Sequence, residues 1–92
     1  MKKNVLIIED SALMRKVLTD IINADERFNV FAMAANGFDG LKILIDKGQS
    51  IDLVLLDINM PKMNGLQMLE EMRKLDLKTK VIIVSTIATA EA

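Results

Sequence analysis

Acidic and hydroxyl side chains follow three apolar runs of the sequence, at the points where those runs stop. Glu9 and Asp10 follow the first run, Asp57 follows a later one, and Ser85 follows the last. If the runs are parallel strands of one sheet, their carboxyl ends meet at one edge and the acids converge there. Carboxylates packed together repel one another unless a cation or a proton relieves the repulsion. An all-oxygen site of this kind favours Mg²⁺ or Mn²⁺.

The residue types that the chain lacks narrow the chemistry further. Its 92 residues include no cysteine and no histidine, which excludes disulfides, thiol nucleophiles, imidazole bases and His-ligated zinc. The Gly-rich phosphate loops of nucleotide-binding proteins are also missing, so an NTPase is not expected. A carboxylate at a magnesium site can instead accept a phosphoryl group. Without a histidine in the chain, the donor would be another molecule.

Each acid taken alone is more simply explained as a solvated residue at a turn or a helix start. The joint pattern favours a site, provided that the surrounding elements bring the acids together. Residues 5–8 form a β-branched apolar run that predicts a strand, and Ser11 is a suitable N-cap for a helix over residues 12–24. Residues 28–33 alternate partially, which is typical of an edge strand.

The second half of the chain repeats this alternation of elements. Asn36 is the predicted cap of a second helix, and Gly48 is predicted to end it in a left-handed conformation. Residues 51–56 predict a strand covered on both faces. Asn64 is the predicted cap of a third helix, and residues 81–84 are the last strand. The apolar stripes predicted to face the core are Leu13, Met14, Val17, Leu18, Ile21 and Ile22 in the first helix, Phe38, Leu41, Leu44 and Ile45 in the second, and Leu66, Leu69, Met72 and Leu75 in the third.

Four strands alternating with three helices predict an α/β domain with an open parallel sheet and helices on both faces. The composition, 51% hydrophobic and 27% charged, is that of one small globular domain. A formal net charge of −1 provides no positive field for a phosphate backbone, so we expect no nucleic-acid partner. No apolar run approaches the ~20 residues that span a bilayer. We therefore expect no membrane contact and a cytoplasmic location.

Three motifs make the chain resemble the receiver domain of bacterial two-component response regulators: IEDS at residues 8–11, DINMPKMNG at 57–65 and VST at 84–86. The resemblance implies the flavodoxin-like, or CheY-like, fold. It also implies that Asp57 accepts the phosphoryl group and that the Ser85 hydroxyl turns toward that group and signals its presence. The implied ligands of Mg²⁺, or alternatively Mn²⁺, are Glu9, Asp10, Asp57 and the backbone carbonyl of Asn59.

Within that family, the chain is most similar to the regulatory domain of the chemotaxis protein-glutamate methylesterase. The similarity lies in residues 10–22, 34–37 and 84–86. It implies a chemotaxis-type histidine kinase as partner and a methylesterase output domain in the parent protein, restrained until the receiver is phosphorylated. The chain itself is then expected to be a phosphoacceptor and not an enzyme.

The resemblance also implies that residues 1–92 form a C-terminally incomplete receiver. Complete receivers have strand order 2-1-3-4-5. Here we expect order 2-1-3-4, without the fifth strand, the phosphate-binding lysine or the aromatic switch residue. Residues 81–84 would then form a sheet edge that associates with a second copy of the chain.

Two other functions stay open on the sequence alone. A phosphohydrolase of the haloacid-dehalogenase type also uses an aspartyl nucleophile and Mg²⁺ at a strand end. That family places a second acid two residues after the nucleophile, where this chain has Asn59. The other alternative is a receiver-like interaction module that does not take a phosphoryl group, which a phosphorylation assay would distinguish.

Overall fold

A computed structural model describes residues 1–58, 60 and 62–84 of the chain. Strands and helices alternate along it as the sequence predicts. One 3-10 turn, Gly48–Ser50, follows the second helix. The elements are β1 (Lys3–Ile8), α1 (Ala12–Ala24), β2 (Phe28–Ala34), α2 (Gly37–Lys47), β3 (Leu53–Asp57), α3 (Gly65–Lys74) and β4 (Lys80–Val84).

The four strands form one parallel sheet in the order β2-β1-β3-β4, which confirms the predicted fold class and order. β1 and β3 are neighbours at the centre, and Ile8 pairs with Leu56 at their carboxyl ends. The register of β1 on β2 shifts between Val5 and Leu6, while the other two pairings are regular. The ends of β1 and β3 therefore lie side by side.

Each face of the sheet has its own hydrophobic core, because successive side chains of a strand point to opposite faces. Leu6 and Ile8 of β1 pack with residues of α2 and α3, whereas Val5 and Ile7 pack with residues of α1. β3 is likewise covered on both faces, as its apolar sequence predicts. The helices thus lie on both sides and leave the carboxyl edge of the sheet for polar residues.

All three predicted N-caps are confirmed. The Ser11 hydroxyl accepts a hydrogen bond from the Met14 amide at 3.2 Å, and the Asn36 side chain accepts one from the Asp39 amide at 2.8 Å. Asn64 accepts from the amide of Gln67, whose side chain accepts from the Asn64 amide in return, both at 2.9 Å. Such caps satisfy amides that have no partner within the helix.

The predicted left-handed conformation of Gly48 is wrong. Gly48 has φ −56° and ψ −31°, in the right-handed helical region, and begins the 3-10 turn. The Ile51 amide donates to the Gly48 carbonyl at 3.1 Å. The chain leaves α2 by tightening its last turn, so no residue with positive φ is needed there.

The predicted apolar stripes are wider than the faces that the helices bury. In α2, Leu41 and Leu44 are buried, but Phe38 is 53% exposed. In α3 the predicted Met72 is buried, but so is Met68, which the predicted stripe did not include, while Leu66 is 61% exposed. A helix resting on a sheet buries only the strip that touches it, and its rotation about its own axis decides which strip that is. The other predicted core residues found exposed are Leu13, Val17 and Ile21 in α1, Ile45 in α2 and Leu75 after α3.

Among the helices in the described residues, none combines the length and the apolar character needed to cross a membrane.

Candidate functional site

Three acids meet at the carboxyl edge of the sheet. Glu9 comes directly after β1, and Asp57 is the last residue of the neighbouring strand β3. Glu9, Asp10 and Asp57 each offer a carboxylate oxygen within 4.8 Å of the others. This convergence was expected from the sequence, and it follows from the parallel pairing of β1 with β3.

The three acids differ in burial. Glu9 and Asp57 are each 2% exposed, whereas Asp10 is exposed to solvent. Glu9 Oε2 accepts a hydrogen bond from the Ser11 amide at 3.0 Å. Glu9 Oε1 is buried and accepts no hydrogen bond from any described residue. A buried carboxylate oxygen in that situation is costly unless a proton or a cation lies against it.

The pKa of Glu9 is raised from an ordinary value of 4.5 to about 7. Removal of the carboxylate from water is the largest cause. The hydrogen bond from the Ser11 amide opposes it, and the negative charge of Asp57 adds to it. Glu9 is therefore partly protonated near neutral pH in the metal-free protein.

The loop after Asp57 is attached to the starts of two helices. The Gly65 amide, at the start of α3, donates to the Ile58 carbonyl at 3.1 Å. The Gly37 amide, at the start of α2, donates to the Met63 carbonyl at 3.0 Å. A β-carbon on Gly65 would lie 2.8 Å from the Asp57 carbonyl oxygen, so only glycine permits this approach. The end of β3 is thereby held against α3.

Arg15 also belongs to this site, although no motif in the sequence singled it out. Its Nη1 donates to the Glu9 carbonyl at 2.8 Å and to the Asp10 carbonyl at 3.2 Å. The available signal was its position one turn into the helix that follows the two acids. The spacing of residues in the sequence does not predict that the Arg15 side chain turns back toward the two acids.

Two predicted site residues, Asn59 and Ser85, lie outside the described residues. The donor set that is described consists of three carboxylates, without nitrogen or sulfur. Together with the buried Glu9 Oε1, this set fits a hard divalent cation such as Mg²⁺.

The fold and the site together define an open parallel α/β domain with a cluster of acids at the carboxyl edge of its sheet. Residues 5–92 match the model of the response regulator receiver domain. The chain belongs to this family. It is thus a receiver module of two-component signalling, and receiver domains are phosphoacceptors with a Mg²⁺-binding acidic pocket.

Relatives in sequence include chemotaxis proteins. The chain is 41% identical over 91 residues to a protein-glutamate methylesterase/protein-glutamine glutaminase of Oceanobacillus iheyensis, covering 99% of this chain and 25% of that protein. It is 40% identical over 87 residues to the probable C4-dicarboxylate response regulator DctR of Bacillus subtilis, covering 95% of this chain and 38% of DctR. The chain therefore spans only a minor part of the curated relatives that it matches.

Solved receivers superpose closely on the fold. The response regulator domain of Thermotoga maritima CheB has a TM-score of 0.84 and 35% identity, covering 100% of this chain and 66% of that one. A chain of the CheX-CheY-BeF3-Mg²⁺ complex of Borrelia burgdorferi has a TM-score of 0.85 and 36% identity, covering 96% of this chain and 65% of that one. These matches support a chemotaxis-type regulatory role.

Proposed function

We propose that Asp57 accepts a phosphoryl group from a phosphohistidine of a chemotaxis-type histidine kinase, in a Mg²⁺-dependent reaction. The observation that carries this proposal is the cluster of Glu9, Asp10 and Asp57, whose oxygens lie within 4.8 Å of one another at the end of β3. Asp10 is the exposed member of the cluster, so the site is open to solvent there. Mn²⁺ would fit the same oxygen ligands.

In the proposed step, a carboxylate oxygen of Asp57 attacks the phosphorus of the donor, and a P–O bond forms. The P–N bond of the phosphohistidine breaks, and its electron pair stays on the imidazole nitrogen, which then takes up a proton. The product is an acyl phosphate on Asp57. Burial of Asp57 keeps bulk water away from the nucleophile.

The cation would be held by the carboxylates of Glu9, Asp10 and Asp57 and by the backbone carbonyl of Asn59. When bound, Mg²⁺ offsets the negative charge that the phosphoryl group brings to an acidic site. Glu9 and Asp10 place their carboxyl groups beside Asp57 before the donor arrives, because β1 and β3 are paired. We assign the sensing of the phosphoryl group to the Ser85 hydroxyl.

The proposed output is control of a protein-glutamate methylesterase domain in the parent protein. The support is the name shared by several curated relatives, among them a protein of Treponema pallidum that is 45% identical over 84 residues. A kinase partner is supported by the P1 domain of CheA3 in complex with CheY6 from R. sphaeroides, one chain of which is 37% identical to this one, with a TM-score of 0.77.

The test is phosphorylation of the purified chain by a small phosphodonor such as acetyl phosphate, with and without Mg²⁺, followed by mass spectrometry. We expect one added phosphoryl group, dependent on the metal and absent from Asp57→Asn. The matched control is Asp46→Asn, which removes an exposed acid of α2 and should leave labelling unchanged. Label on another residue would contradict the assignment of Asp57. Absence of label from the unsubstituted chain would favour the interaction module that does not take a phosphoryl group.

A further inference from the structure

Arg15 connects α1 to the backbone of the two acids that precede the helix. One nitrogen, Nη1, donates to two successive carbonyls, Glu9 O at 2.8 Å and Asp10 O at 3.2 Å. The arginine is half-buried; its bond to the Glu9 carbonyl is partly buried, whereas its bond to the Asp10 carbonyl is exposed. Among the described residues, no other side chain bonds to either carbonyl.

The segment that Arg15 holds is under electrostatic stress. Glu9 and Asp10 are consecutive acids whose oxygens lie within 4.8 Å of those of Asp57. Repulsion among them favours any rotation of the backbone that moves Asp10, the exposed member, away from the cluster. The Glu9 amide is fixed by the Ala34 carbonyl at 3.0 Å, and the Ser11 amide is fixed by Glu9 Oε2 at 3.0 Å. Arg15 fixes the carbonyls between these two points.

A guanidinium near the acids has two effects of opposite sign on metal binding. As a positive charge it repels Mg²⁺ and weakens binding. As a double hydrogen-bond donor it keeps the acids in place before the cation arrives, which strengthens binding because less order must be imposed afterwards. The direction of change on substitution therefore shows which effect is larger.

We propose that Arg15 is a positioning residue that holds the Glu9–Asp10 backbone in its metal-binding conformation. The inference rests on the proposed function, since it takes the three acids as the Mg²⁺ site. Two charge-assisted hydrogen bonds, one of them partly buried, outweigh the repulsion of a cation at a solvated site edge. Arg15 acts through Glu9 and Asp10 and need not touch the metal or the phosphoryl group.

The experiment compares the unsubstituted chain, called the parent chain below, with Arg15→Met, Arg15→Lys and Lys16→Met. Methionine keeps the aliphatic stem and removes the charge and the donors, whereas lysine keeps the charge and a donor nitrogen. Lys16 is the matched control, because its side chain is 72% exposed and pairs with Asp20 one turn along α1. Mg²⁺ is titrated while the amide signals of Ser11 and Ile58 are followed by NMR.

We expect Arg15→Met to weaken Mg²⁺ binding by roughly three- to tenfold, Arg15→Lys to recover part of that loss, and Lys16→Met to match the parent chain. Unchanged or tighter binding by Arg15→Met would overturn the proposal, because the hydrogen bonds of Arg15 would then not outweigh the repulsion of its charge. Urea unfolding measures whether a substitution also lowers the stability of the fold. The amide signals of β2 report the folded fraction, so weaker Mg²⁺ binding can be distinguished from a loss of folded protein.

Hydrogen exchange in the metal-free protein distinguishes failure of this inference from failure of the proposed function. The Ser11 amide should exchange at least threefold faster in Arg15→Met, whereas the Met14 amide, bonded to the Ser11 hydroxyl, should change less. If the unsubstituted chain shows no Mg²⁺ response, the proposed metal site fails, but the exchange of the Ser11 amide still tests whether Arg15 holds the backbone of Glu9 and Asp10. Equal Ser11 exchange rates in the unsubstituted chain and in Arg15→Met would overturn that role of Arg15.

Discussion

Glu9 is the residue whose environment departs most from what its type suggests. Only one of its two carboxylate oxygens is hydrogen-bonded within the described structure, and its pKa is raised to about 7, chiefly by burial and further by the charge of Asp57. A folded state that holds a proton more tightly than the unfolded chain gains stability at low pH. That gain is lost as the pH rises from 4.5 through about 7.

Glu9→Gln should therefore remove a pH dependence of stability. In the presence of a chelator, we expect the free energy of unfolding of the parent chain to fall, relative to the variant, by on the order of 1–2 kcal/mol between about pH 5 and pH 8. Urea unfolding of both proteins at the two pH values measures this difference. Identical pH profiles of the two proteins would show that ionisation of Glu9 does not destabilise the folded state.

Glu9→Gln should also weaken the binding of Mg²⁺. Glutamine keeps the shape of Glu9 and removes one negative charge from the cluster. Mg²⁺ should then stabilise the parent chain at pH 8 more than it stabilises Glu9→Gln, since a ligand that binds the folded state raises its stability. An equal effect of Mg²⁺ on both proteins would exclude Glu9 from the site.

At the scale of elements, the contact between the start of α3 and the end of β3 controls the shape of the loop after Asp57. Gly65 has no room for a β-carbon, because one would lie 2.8 Å from both the Asp57 carbonyl oxygen and the Ile58 Cα. Both neighbours are backbone atoms, which cannot rotate away as a flexible side chain could. The helix and the strand must separate if this residue is enlarged.

Gly65→Ala should cost about 1–3 kcal/mol of stability and shift the amide signals of Asp57 and Ile58. The matched control is Gly48→Ala, because Gly48 has right-handed helical angles and no atom within 4 Å of its would-be β-carbon. That change should be neutral or stabilise the chain by about 0.5–1 kcal/mol. Chemical denaturation and two-dimensional NMR measure both effects. Equal stabilities for the two variants would refute the close approach of Gly65.

At the scale of the whole molecule, β4 lies at one edge of the sheet formed by the described strands. Ile82 and Ile83 are 50% and 40% exposed and, as neighbours in a strand, point to opposite faces. An edge strand with exposed apolar side chains is a template for pairing with another chain. We therefore expect the chain with this sequence to self-associate through β4 or the adjoining face.

Ile82→Lys should raise the concentration needed for self-association by roughly tenfold, because it removes an isoleucine that the contact would bury and adds a charge to the edge. Ile45→Lys is the matched control, since Ile45 is 60% exposed but lies on α2 and not on the edge strand. Light scattering over a concentration series measures the effect. A monomer at all concentrations, or equal effects of both variants, would contradict association through β4.

The sequence by itself determined the order of the elements, their caps and the positions of the three acids along the chain. Ser11, Asn36 and Asn64 cap their helices through contacts only three residues away, which local sequence is sufficient to specify. The acids converge because a parallel sheet places the ends of β1 and β3 together, and the apolar runs were enough to predict that sheet.

Only the tertiary structure decided how each side chain is used. The rotation of α3 on the sheet buries Met68 and leaves Leu66 exposed, although both are apolar residues of the same helix. The pKa of Glu9 depends on desolvation and on Asp57, and Arg15 bonds across a turn to backbone that precedes its helix. Such properties arise from contacts between separate elements. Their energies depend on distances that residue types and spacing do not specify.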